Sequence, residues 1–141
     1  MNIYITENID KAIDNFTIIP IVYGEIDFKQ IPDNAATNIV AIDATDSIKP
    51  HNIQDFIQNI VKKMRLNSTL HIGGTDLYAI SRLLLSGSMT IIEYNSILDK
   101  KNGIYSSKLI IDLLKNQGLQ IKSAIFKSYN YEIIATRTYN K

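Results

Sequence analysis

Cysteine is absent from the 141 residues, which excludes disulfides, thiolate metal sites and a cysteine nucleophile, and suits a reducing compartment. An excess of either charge is missing too: 15 Lys and Arg against 14 Asp and Glu leave a formal net charge of +1. That balance supplies no global field to draw in nucleic acid or an anionic membrane, so neither is expected as a partner. Long hydrophobic runs are lacking; the apolar stretches around Ile18 to Tyr23 and Leu83 to Leu85 fall far short of the roughly 20 residues that cross a bilayer. The opening MNIYITENIDKAIDNF has acids and asparagines where a signal peptide needs a basic start and an apolar run, so a cytoplasmic protein is expected. The only histidines, His51 and His71, stand in no ligand spacing such as HExxH, and no metal site is expected. Serine-nucleophile chemistry finds no GxSxG; Ser86-Gly87-Ser88 reads as a turn ending a helix.

What remains is an ordinary globular composition, 45% hydrophobic and 21% charged, in a length that fits one domain over residues 1–141. Asn2 to Thr6 and Thr17 to Tyr23 read as buried strands, with at most a stub of helix from Asn8 to Phe16 between them. Glu25 to Asn38 is polar, carries Pro32-Asp33-Asn34 and reads as a loop. Asn38 to Ile42 is a third strand, with Asp43 and Asp46 just beyond its C-terminal end, where a parallel sheet presents its binding edge.

The clearest helix follows Pro50. Asn52 is its expected N-cap, Asp55 lies in its first turn, and Ile53, Phe56, Ile57, Ile60, Val61 and Met64 share one face; Lys62, Lys63 and Arg65 suit its C-terminal dipole. Ser68 to Ile72 is a fourth strand, expected to end at Gly73-Gly74, and Asp76 to Leu85 is expected to be helical. Thr90 to Ile92 reads as a short strand or extended segment leading to a polar turn, Asp99 to Gly103. A last helix, Tyr105 to Gln117, is expected to bury Leu109, Ile110, Leu113 and Leu114 and to stop at Gly118, suited to the left-handed C′ position. Leu119 to Lys127 and Tyr131 to Arg137 then form a hairpin through Ser128-Tyr129-Asn130. Strands alternating with helices and closed by this hairpin predict an α/β fold: a three-layer sandwich around a mostly parallel sheet with an antiparallel C-terminal hairpin.

The hairpin after a helix ending LLKNQG, the stretch IPDNAATNIVAIDATDSI (Ile31 to Ile48), the stretch VKKMRLNSTLHIGG (Val61 to Gly74) and the late Ala135-Thr136-Arg137 together resemble the class I S-adenosylmethionine methyltransferases, from about Asp27 onward. The resemblance implies a Rossmann-like sheet, S-adenosylmethionine as cofactor and methyl transfer as activity. It fails near the N-terminus. The family's first strand runs into a glycine-rich turn because the backbone must approach the cofactor without a Cβ in the way, whereas Ile5-Thr6-Glu7-Asn8 has no glycine. The ribose-binding acid that ends the family's second strand has no counterpart before Glu25, and Asn67-Ser68 stand where the family has paired glycines.

If the cofactor binds, the resemblance places it along Thr6, Glu7, Asp27, Asp43 and Ala44, with Asp43, Asp76 and Tyr78 toward the methyl acceptor. Each candidate has a plainer role. Asp27 stands in the position of the acid that bonds the adenine amino group, but the solvated loop carboxylate is the favoured reading. Asp43 and Asp46 could orient an acceptor or take its proton, or simply cap a turn. Gly73-Gly74-Thr75-Asp76 could cradle a phosphate or a sulfonium-bearing ligand at a helix N-terminus, but it has no P-loop lysine, and capping by Thr75 or Asp76 is favoured. Tyr78 could line a substrate pocket or pack. His71 is expected to be partly buried and hydrogen-bonded. Tyr129, Tyr131 and Tyr139, near Lys127, Arg137 and Lys141, suit strand packing or an interface. Two functions follow: a small methyltransferase, or a non-catalytic relative whose sheet is a scaffold for assembly, as in a virus, or for a protein partner, with a homo-oligomer covering a pocket otherwise open on one side.

Overall fold

The computed structural model describes residues 1–10 and 13–138. Among the described residues seven strands form one sheet: β1 (Asn2–Thr6), β2 (Thr17–Val22), β3 (Glu25–Ile26), β4 (Ala36–Ala41), β5 (Met64–Thr75), β6 (Leu119–Lys127) and β7 (Asn130–Arg137), in the order β3-β2-β1-β4-β5-β7-β6. β2, β1, β4 and β5 run parallel, while β3 is antiparallel to β2 and β7 is antiparallel to both β5 and β6. The expected α/β class, the mostly parallel sheet and the terminal hairpin are all present. Among the described residues the α-helices are α1 (Ile53–Lys63), α2 (Leu77–Leu85), α3 (Ile91–Leu98) and α4 (Ser107–Asn116).

Register divides the sheet into two unlike faces. Ile3 and Ile5 of β1, Ile19 and Ile21 of β2, Ile39 of β4, Leu70 and Ile72 of β5 and Ile133 of β7 form the inner face, and each is at most 5% exposed. They share one core with Phe56, Ile57 and Ile60 of α1 and Ile110 and Leu114 of α4. Burying each such side chain is worth roughly 1.5–3 kcal/mol, so this face carries the fold. The outer face, reached by the alternate residues, includes Ile18, Pro20 and Val22 of β2, Val40 of β4 and Ile134 of β7, all of them half-buried or exposed. No α-helix among the described residues lies between β1 and β2 or between β2 and β4, where a crossover helix would cover it.

Several local expectations need correcting. Asn8 to Asp10 and Ile13 to Phe16 are turns and irregular chain; the rest of the expected helical stub, residues 11 and 12, lies outside the described residues, as do Tyr139 and Lys141 of the terminal cluster. The segment after Gly24 is not all loop: Tyr23 and Gly24 take positive φ, 51° and 77°, and close a tight hairpin into the two-residue β3. Asn52 makes no capping bond, because a 3-10 turn, Pro50–Asn52, feeds α1 directly. β5 does not end at the glycines but runs through them to Thr75, Gly73 pairing with Glu132 and Gly74 with Tyr131. Thr90 to Ile92 starts α3: the Thr90 hydroxyl accepts the Glu93 N–H at 3.1 Å. Leu109 of α4 is exposed, not buried.

Arg137 ties the end of the sheet to the end of α1. It is buried, and its Nη1 donates to Asn34 Oδ1 at 2.9 Å, to Val61 O at 2.9 Å and to Met64 O. A guanidinium is well suited to the carbonyl end of a helix, where the dipole is negative. Beside it, Lys63 and Lys62 reach Asp33 at 2.7 and 3.7 Å, and the Lys63 bond holds that carboxyl below its ordinary range.

Candidate functional site

Strand order reverses between β1 and β4, whose neighbours lie to opposite sides of the sheet, and the C-terminal ends of such a pair form the crevice where open α/β sheets bind ligands. A cavity of about 350 Å3 sits there, lined by Tyr4, Thr6, Glu7, Asn8, Ile42, Asp43, Ala44 and Ser47. Through Glu7 it borders a wider groove of about 700 Å3 lined by Ile9, Pro20 to Gly24, Lys49 and Asn102. A third hollow, about 270 Å3, lies between the β2–β3 hairpin and α1, with Glu25, Phe28, Asp55, Phe56 and Asn59 on its walls.

The lip after β1 is made of local turns. Thr6 Oγ1 accepts the Asn8 N–H at 3.0 Å, and Asn8 Oδ1 accepts the Asp10 N–H at 3.1 Å. These side-chain turns occupy amides that a glycine-rich loop would leave pointing at a ligand. Glu7 is exposed between them.

The lip after β4 is buried. Asp43, at φ 63°, turns the chain into a 3-10 turn, Ala44–Ser47; its carboxylate caps nothing and is exposed at the cavity. Three residues on, Asp46 is 6% exposed: it accepts the Thr75 N–H at 2.8 Å and the Thr75 hydroxyl at 3.2 Å, and pairs with Lys101 Nζ at 2.8 Å. Thr45 Oγ1 bonds Gly73 O at 3.0 Å and the Tyr131 hydroxyl at 2.8 Å. A Cβ on Gly74 would collide with Thr45 Oγ1, so this glycine admits the loop against β5 and does not cradle an anion. Tyr131 is driven well above the usual phenol range, chiefly by burial and further by the Asp46 and Asp76 charges. Burial, with the Asp46 charge behind it, pushes Tyr105 up to about 12; its hydroxyl donates to Ile48 O.

The structure thus gathers Thr6, Glu7, Asp43 and Ala44 around one cavity and leaves the other candidates elsewhere. Asp27 is exposed and accepts the Lys29 N–H at 3.0 Å, at the start of a 3-10 turn. Asp76 is buried; Oδ2 caps α2 at the Ala79 N–H, 2.9 Å, and Oδ1 receives the Ser107 N–H of α4 at 2.8 Å. Tyr78 stands exposed on α2. His71 is half-buried on the outer face, 4.0 Å from Glu132. Among the described residues no three His, Asp or Glu gather as a metal site, and no helix is long and apolar enough to cross a membrane. Tyr4, Asn8, Ile42 and Ser47 also line the cavity; strand-end alternation would have pointed to Tyr4 and Ile42 beside Thr6.

No family model and no curated protein matches the chain. Solved structures do. It superposes on a SAM-dependent methyltransferase from Archaeoglobus fulgidus with a TM-score of 0.62 at 13% identity, over 95% of this chain and 75% of that one. An O-methyltransferase family protein from Burkholderia thailandensis gives 0.64 at 12%, over 89% of this chain but 37% of the other. A structure of the Haloferax volcanii Trm112 methyltransferase activator in complex with a methyltransferase gives 0.60 at 5%, over 92% and 65%. The protein has the Rossmann-like fold of the class I SAM-dependent methyltransferases.

Proposed function

We propose that the chain is a small methyltransferase-like protein that binds S-adenosylmethionine in the cavity between the ends of β1 and β4. The observation that carries this reading is the coincidence, at the point where strand order reverses, of a ligand-sized cavity with two exposed carboxylates, Glu7 and Asp43. Thr6, Glu7, Asp43 and Ala44 would hold the cofactor, which supplies an electrophilic methyl on a sulfonium. The carboxylates favour that positive centre, and Asp43, which caps nothing, is the group left to orient an acceptor or take its proton. Asp76 serves two helices and Asp46 is saturated, so neither is offered as a base.

A second reading, a non-catalytic relative serving as a structural or protein-binding module, draws on the β1 lip. There Thr6 and Asn8 fill backbone amides that a glycine loop would turn to the ligand. Titration calorimetry with S-adenosylmethionine and S-adenosylhomocysteine separates the two. Micromolar binding weakened about tenfold, or ~1.4 kcal/mol, by Glu7→Gln or Asp43→Asn supports the cofactor reading. Binding no tighter than millimolar to either compound rules it out and leaves the module.

A further inference from the structure

Two surfaces of this chain lack the layer that normally covers them, and they are of complementary kinds. The first is the outer sheet face. Parallel strands are ordinarily covered on both sides, yet here the side opposite α1 and α4 presents Ile18, Val22, Val40 and Ile42 with no described helix over it, Val22 being 54% exposed. The second is the hairpin of α2 and α3. From Leu77 to Leu98 it carries two charged residues, Arg82 and Glu93. α3 buries none of its residues, and the tip leaves Leu85, Ile91 and Ile92 exposed by 85%, 67% and 79%. A helix apolar on most sides and buried on none belongs against something. Among the described residues the hairpin packs chiefly on itself: Ile80 and Met89 are buried in it but stand apart from the main core.

We infer that the occupant of each surface is a second copy of the chain, the α2–α3 hairpin of one protomer lying as the missing helical layer on the outer sheet face of the other, reciprocally about a two-fold axis. The area suffices. Leu77, Tyr78, Leu85, Ile91 and Ile92 expose roughly 500 Å2 of apolar surface; two such contacts, each covering a like area of sheet, reach the about 1,600 Å2 of a standard interface. Charge points the same way. A helix pair settling on an anionic membrane carries Lys and Arg along its polar side, and this one has Arg82 alone. Tyr4, Thr6 and Ile42 belong to the outer face and also line the cavity, so a hairpin docked there would form its open wall.

Sedimentation of the full chain without ligand tests this, and its outcome is independent of whether S-adenosylmethionine binds. Wild type is expected to be a dimer at micromolar concentration. Two variants of exposed residues, L85D/I92D on the tip and V22K/I42K on the face, should each be monomeric while keeping the wild-type circular dichroism and unfolding midpoint. Mixed in equal amounts they should dimerise again, because one retains a sound face and the other a sound tip. A wild type that stays monomeric up to about 100 μM overturns the proposal. So does a mixture that stays monomeric, or dimerisation of either variant alone, which is the result tip-to-tip or face-to-face pairing would give.

Discussion

The two lips of the cavity are built in opposite ways. After β1 the chain is shaped by Thr6 and Asn8, each bonding an amide two residues on. After β4 it is shaped from far away: Thr45 by Gly73 and Tyr131, and Asp46 by Thr75 and Lys101. One lip therefore belongs to the folded core and the other to local turns. Where a binding site has one anchored wall and one local wall, ordering of the local wall is the step a ligand or partner can influence.

The largest break in that contrast comes from Asp46. Asp46→Ala strips the Thr75 amide and hydroxyl and leaves the Lys101 ammonium partly buried without its carboxylate. A loss of about 3 kcal/mol in urea unfolding is expected. Asn8→Ala on the opposite lip removes one exposed local bond and should cost under ~1 kcal/mol. Similar losses for the two would show that the lips are not built differently.

Asp76→Ala comes next. It removes the cap of α2 and the bond to the Ser107 amide at the start of α4 together, for about 2 kcal/mol by the same measurement. An effect below ~0.5 kcal/mol would mean that water replaces both bonds and that the base of the hairpin is not held by this carboxylate.

Alkali should loosen the anchored lip specifically. Tyr105 and Tyr131 are protonated in the fold beyond the pH at which an unfolded phenol ionises, Tyr105 up to about 12. Between pH 10 and 12 the unfolded chain therefore holds fewer protons than the native one, and stability falls as pH rises; below pH 10 these groups contribute their full share. Urea midpoints at pH 9 and pH 11 should differ for wild type by more than for the Tyr105→Phe and Tyr131→Phe variants. An unchanged slope in both would exclude these phenols as its source.

Much of this architecture was legible because inner-face residues announce themselves: Ile3 and Ile5, Ile39 and Leu70 are apolar at strand spacing, and α1 shows its stripe from Ile53 to Val61. The errors have physical causes. Gly73-Gly74 looks like a turn, but Gly74 is there so that Thr45 can close on β5, a contact across 28 residues, and Gly73 so that the Tyr131 carbonyl can approach. Thr90-Ile91-Ile92 looks like strand because two of the three are isoleucines and the third is also β-branched; the overlooked sign was Thr90 followed by Glu93, a capping pattern. β3 is two residues long and rests on a turn at Tyr23-Gly24, below what periodicity can register. Of the site, Thr6, Glu7, Asp43 and Ala44 were reachable from strand ends. Asp76 and Asp46 were visible as carboxylates, but their partners, as distant as Lys101, were not.

The smallest expected effect on stability is the sharpest on function. Glu7 and Asp43 are exposed on opposite lips of one cavity, and neither serves as a cap. Glu7→Gln and Asp43→Asn should shift unfolding by no more than about 0.5 kcal/mol. Asn is the right replacement at 43, because it tolerates the positive φ there, whereas Ala would add backbone strain and confuse the result. If both variants keep wild-type stability and both weaken S-adenosylmethionine, the two lips act on one ligand despite their different construction. If only Asp43→Asn does so, the anchored lip binds alone, and the turns after β1 do not contribute to it.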